Sequence, residues 1–110
     1  MKVFKVVIVG TGPAALMAAD VVSTRAEVRV TLVEKRRSPG RKILIAGSSG
    51  LNISNGLPLT DFARAYSGSM SPAFWDELLG SFGPREWLAF VERELGREIF
   101  LGTSNRYFTR

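Results

Sequence analysis

Residues 3–15 read VFKVVIVGTGPAA, and this stretch constrains the fold more than any other. A short run rich in β-branched residues, Val6-Val7-Ile8-Val9, leads straight into three small residues at fixed spacing, Gly10, Gly12 and Ala15. Such a run is the pattern of a buried parallel strand. The glycines suit a tight turn off the strand and a close backbone approach to a diphosphate, and Ala15 suits tight packing of the helix that follows. A diphosphate would sit at that helix's N-terminus, where unpaired N–H groups and the helix dipole favour negative charge. Pro13 fits the first helical turn, because its missing N–H has no partner there. The spacing predicts a strand over 3–9 and a helix from Pro13 to about Arg25.

The next segment supplies the context that this motif needs. Val28, Val30, Leu32 and Val33 predict a second strand ending at Glu34, which closes a β-α-β unit of about 30 residues. Glu34 lies about 20 residues beyond the glycines, at the strand end where a carboxylate accepts the hydroxyls of an adenosine ribose and repels a 2′-phosphate. FAD or NAD is therefore favoured over NADP. The bland alternative for Glu34 is a solvated strand-end residue. Arg36 and Arg37 read as a solvated basic loop.

Composition removes several chemistries. The 110 residues contain no Cys and no His, which excludes disulfides, thiol nucleophiles, Cys/His zinc sites and serine–histidine triads. The 45% apolar and 23% charged content is that of an ordinary globular chain. The net charge of +5 is spread along the sequence with no nucleic-acid motif, so no nucleic-acid partner is expected. The apolar run towards Ala19 superficially resembles a secretory leader, but Gly12-Pro13 breaks it and a second strand follows. It is too short and interrupted to span a membrane, so a cytoplasmic protein without a membrane partner is expected.

Residues 38–55, SPGRKILIAGSSGLNISN, carry the second informative pattern. Arg41 and Lys42 supply charge, Ile43 to Ala46 predict a short buried helix, and Gly47-Ser48-Ser49-Gly50 predict a flexible loop rich in N–H and hydroxyl donors. On composition alone this loop is equally well a surface turn. Residues 57–96 read as helical. Thr60 is the expected cap of a short helix to Tyr66, and Ser71-Pro72 caps a second. Phe74, Leu78 and Phe82 lie on one face of that second helix, and Gly83-Pro84 separates it from a third. In the third, Trp87, Val91 and Leu95 share a face, and Gly96 ends the helix. Both stripes are expected to be core. Residues 98–101 and 106–109 predict a hairpin around Gly102 to Asn105.

Taken together, GTGPAALMAA, VEK, GRKILIAGSSGLNISN and FLGTSNRYF resemble the BaiN-like (aminoacetone-oxidase-like) group of NAD(P)/FAD-dependent flavoproteins over essentially the whole chain. Two features depart from the family pattern: Ser48-Ser49 in the loop, and Tyr107-Phe108-Thr109 near the end. The resemblance implies an α/β fold in which a Rossmann-like, glutathione-reductase-type β-α-β unit precedes a helical segment and a short hairpin. It also implies that residues 1–110 are the N-terminal portion of an incomplete FAD-binding domain whose partner is a missing C-terminal part of the same protein. Gly10, Gly12, Pro13 and Ala14 would contact the FAD diphosphate, and Glu34 with Lys35 would hold the adenosine ribose. Arg41, Lys42, Gly47, Gly50 and Asn52 would line the diphosphate, ribityl and flavin side.

The expected activity is that of a flavin-dependent oxidoreductase transferring hydride in the complete protein, with NAD(P)H as a candidate electron donor. The substrate is left open, as is activity of these 110 residues alone. No catalytic residue or metal site is nominated. The alternatives are a non-catalytic NAD or ADP binding or regulatory module, and an unrelated α/β domain in which the glycines serve only a tight turn.

Overall fold

A computed structural model describes residues 2–47 and 50–110, which divide into two units, residues 1–49 and 50–110. In the first unit, β1 (Phe4–Val9) pairs in parallel with β2 (Val28–Val33), with Phe4 opposite Val28 and Val9 opposite Val33. The connection is α1 (Pro13–Ser23), which packs against both strands. A short α2 (Arg41–Ala46) follows, begun by Gly40 in the left-handed region at φ 62°. This is the predicted β-α-β unit, with α1 ending two residues before Arg25.

Two expectations of burial fail in this unit. No residue of β1 or β2 is buried. The half-buried positions Val6, Ile8, Val28 and Val30 share the face on which α1 packs, whereas Val9 on the opposite face is 84% exposed. A parallel strand is buried only when both faces are covered, and within this unit one face is. The expected burial of Ile43 to Ala46 fails similarly. The segment is helical, but Leu44 and Ile45 are 67% and 62% exposed.

In the second unit, β3 (Asn52–Asn55), β4 (Ile99–Leu101) and β5 (Arg106–Thr109) form an antiparallel sheet in the order β3-β5-β4. The predicted hairpin is β4-β5, turned by Gly102 to Asn105, with Asn105 in the left-handed region at φ 55°. β3 was not expected. Asn and Ser are poor strand formers, and what makes Asn52-Ile53-Ser54-Asn55 a strand is pairing with Arg106, Tyr107 and Phe108 across an irregular register.

Three helices lie between these strands in sequence: α3 (Leu59–Arg64), α4 (Pro72–Ser81) and α5 (Pro84–Arg93). Helices α3 and α4 pack together, and α5 packs on β3 and β4. The Trp87 indole N–H donates to the Ile53 carbonyl at 2.9 Å, which fastens α5 to β3. Ser71 caps α4 as expected, its hydroxyl accepting the Phe74 N–H at 3.3 Å. Thr60 does not cap α3. The helix starts one residue before it, and the Pro58 carbonyl accepts the N–H groups of Asp61 and Phe62. At α5, Glu86 reaches back to accept the Gly83 N–H at 2.9 Å. Glycine has no side chain to return that bond, so only half of a reciprocal cap is formed.

The apolar core of the described residues is Ala63, Leu79 and Val91, all in this second unit. Of the two stripes expected to be core, Val91 is buried at 2% exposure and Trp87 is half-buried, but Leu95 lies beyond the helix and is exposed. On α4 the stripe Phe74-Leu78-Phe82 is exposed, and the inward face runs one residue on, through Trp75 and Leu79. On that face Trp75 packs against Tyr66 with ring centroids 4.8 Å apart. Periodicity finds both faces apolar and cannot choose between them.

Candidate functional site

The end of β1 and the end of β2 open onto a cleft of about 500 Å³ in the first unit. Its walls come from three places: the turn Gly10 to Pro13, the segment Glu34 to Gly40, and the exposed start of α2. Of the residues expected at a site, Gly10, Gly12, Pro13, Glu34, Arg41 and Lys42 line this cleft. Ala14, in the first turn of α1, and Lys35, next to Glu34, lie just outside the lining. Gly47 ends α2 away from the lining, and Gly50 and Asn52 belong to the second unit. Ser48 and Ser49 of the expected loop lie outside the described residues.

The two glycines of the turn have different reasons to be glycine. Gly10 has φ 97°, a conformation that disfavours any side chain. Gly12 has an ordinary φ of −73°, and a Cβ built on it would meet nothing within 4 Å. Neither backbone strain nor packing inside the unit requires glycine there. What the missing Cβ preserves is open space beside the N-terminus of α1. The first intrahelical bond runs from the Leu16 N–H to the Gly12 carbonyl, so the N–H groups of the preceding turn have no acceptor within the helix.

Glu34 is held at the other wall. Its Oε2 accepts the hydroxyl of Thr11, and its Oε1 accepts the Arg36 N–H at 2.9 Å. These bonds, led by that of Thr11 and aided by the N–H groups of Thr11 and Lys35, hold the carboxyl below its ordinary pKa despite the opposing effect of partial burial. Arg36, Arg41 and Lys42 give the lining three cations to this one carboxylate. The chemistry available is electrostatic capture of an anion at the helix end together with acceptance of hydroxyl hydrogens at Glu34.

Thr11 is the residue that sequence reasoning missed. It sits at the variable position between the two glycines, where the motif places no demand, and only its hydrogen-bonding type hinted at a role. Arg36 is exposed, in keeping with a solvated basic loop, and it also contributes a backbone N–H to Glu34 and part of the cleft wall. Among the described residues no group of Cys, His, Asp and Glu is arranged to hold a metal ion, and no helix is long and apolar enough to cross a membrane.

A parallel strand pair with its crossover helix, a glycine turn at the helix start and an acid after the second strand define a Rossmann-type domain. Residues 4–110 match the family described as the HI0933-like protein Rossmann domain, and the chain belongs to that family of FAD-binding Rossmann domains. This is the flavoprotein group that the sequence blocks resemble. No curated protein matches the chain.

Proposed function

We propose that this chain is the FAD-binding part of a flavin-dependent oxidoreductase, and that its first unit receives the adenosine diphosphate portion of FAD. One observation carries this reading. A single cleft joins an open glycine-lined helix end, suited to a diphosphate, to an ionised carboxylate suited to a ribose. The residues fit the group. Gly12 leaves room for a diphosphate against the backbone, the first-turn N–H groups of α1 supply donors, and Arg41 and Lys42 supply positive charge. Glu34 accepts the ribose hydroxyls, with Lys35 beside it. Family membership supports FAD over other dinucleotides.

When bound, FAD supplies the redox chemistry of its ring, and the protein supplies binding and orientation. NAD(P)H is the proposed electron donor on general grounds of flavoenzyme chemistry, not from any group in the cleft. Gly47, Gly50 and Asn52 are proposed for the ribityl and flavin side on the strength of the sequence resemblance.

A second reading, a non-catalytic module that senses an adenine nucleotide, is favoured by one feature: the cleft contains groups suited to the adenine side alone. Titration calorimetry of the chain with FAD, ADP and NAD separates the two. The proposal expects FAD to bind more tightly than ADP or NAD. Equal affinity for FAD and ADP would favour the sensing module, and no binding of any nucleotide would overturn both.

A further inference from the structure

Thr11 is the one polar side chain buried among the described residues, 4% exposed, and it sits in the wall of the cleft. Both functions of its hydroxyl are used. The Gly40 N–H donates to Oγ1 at 3.1 Å, and the same N–H lies 3.2 Å from the Thr11 carbonyl. Since a hydroxyl has a single proton, the Thr11 O–H is directed at Glu34 Oε2. Gly40 therefore orients Thr11, and Thr11 orients Glu34. The Arg36 N–H fixes the other carboxylate oxygen. Each carboxylate oxygen thus accepts one of these hydrogen bonds.

We infer that Thr11 is a specificity-determining positioning residue, which locks the Glu34 carboxylate in place so that the cleft takes adenosine diphosphates with a free 2′-hydroxyl and rejects 2′-phosphorylated ones. The inference rests on the proposed nucleotide site and adds to it. An acid at a strand end can turn aside into water. If Glu34 did so, Arg36, Arg41 and Lys42 would be left as a cationic rim able to accept a 2′-phosphate. The hydroxyl of Thr11 prevents that movement. Repulsion of a 2′-phosphate then depends on a residue from the glycine turn as well as on the acid itself.

The test compares the affinities of the full chain for ADP and 2′-phospho-ADP, with Thr11→Val, Thr11→Ser, Glu34→Gln and the Thr11→Val/Glu34→Gln double variant. Circular dichroism confirms that each folds, and Thr11→Ala replaces Thr11→Val if the valine variant does not. The wild type should prefer ADP. Thr11→Val should reduce that preference about tenfold, the order expected for a hydrogen bond to a charged group. Thr11→Ser, which keeps the hydroxyl, should restore it. The double variant should lose no more preference than Glu34→Gln alone, because the two residues act through one carboxylate. An unchanged preference in Thr11→Val, or losses that add in the double variant, would overturn the inference. If Glu34→Gln shifts the preference and Thr11→Val does not, the inference falls and the nucleotide site stands. If the wild type binds neither nucleotide, both fall.

Discussion

The two units bury opposite kinds of residue. Among the described residues, the first buries the polar Thr11 and no apolar side chain, and the second buries Ala63, Leu79 and Val91. In the first unit, the Thr11 hydroxyl donates to Glu34 and accepts the Gly40 N–H, and these two bonds tie the glycine turn to the segment after β2. In the second, a small apolar core and the Trp87 bond to β3 join helices to sheet. Buried polar groups that are satisfied fix geometry, whereas buried apolar groups mainly add stability. The first unit thus carries the candidate site and the second the larger share of packing energy.

That contrast is open to attack by substitution. Leu79→Ala should have the largest effect on stability, lowering that of the second unit by about 2–3 kcal/mol through lost transfer energy and a residual cavity. Both tryptophans, Trp75 and Trp87, lie in that unit, so a fall in the denaturant midpoint followed by tryptophan fluorescence reports it directly. ADP affinity should stay within about twofold, as expected of sites that act independently. A comparable loss of nucleotide binding would break the division of labour.

A smaller effect is expected from pH, and each unit has its own reporter. Glu34 is held below the ordinary carboxyl pKa of 4.5 first by Thr11, and Glu86 is held below the same value first by its own N–H and then by that of Gly83. A carboxyl with a depressed folded pKa contributes stability above its unfolded pKa and loses it as pH falls through the folded value. Stability should therefore decline as the pH drops below 4.5, and Glu86→Gln should flatten that decline in tryptophan fluorescence. Glu34→Gln should leave the fluorescence profile unchanged and alter nucleotide binding. The reverse assignment would dissolve the contrast.

How much of this was legible beforehand differs by unit in the same way. The glycine spacing, Pro13 and the apolar run into Glu34 specify a strand–turn–helix–strand almost locally, so the β-α-β unit and six cleft residues could be placed from the sequence. Thr11 could not, because its role depends on a bond to a residue 23 positions away. In the second unit Ser71-Pro72 and Gly83-Pro84 gave the helix starts through their own backbone chemistry. β3 and the inward face of α4 stayed hidden, since β3 is made by pairing with β5 and α4 carries apolar residues on both faces. Local pattern encodes neither choice.

The central claim, that the glycine-lined cleft of the first unit receives a nucleotide diphosphate, is tested most directly by Gly12→Ala. The φ of −73° and the open space around its Cβ mean that the methyl strains nothing within the chain, and such a change alters folding stability by no more than about 1 kcal/mol. The methyl would instead occupy the space left for the ligand. The account predicts a melting temperature shifted by no more than about 5 °C and affinities for FAD and ADP reduced about tenfold or more, as overpacking of a fitted contact costs. Undiminished affinity for both nucleotides in a folded Gly12→Ala chain would contradict it.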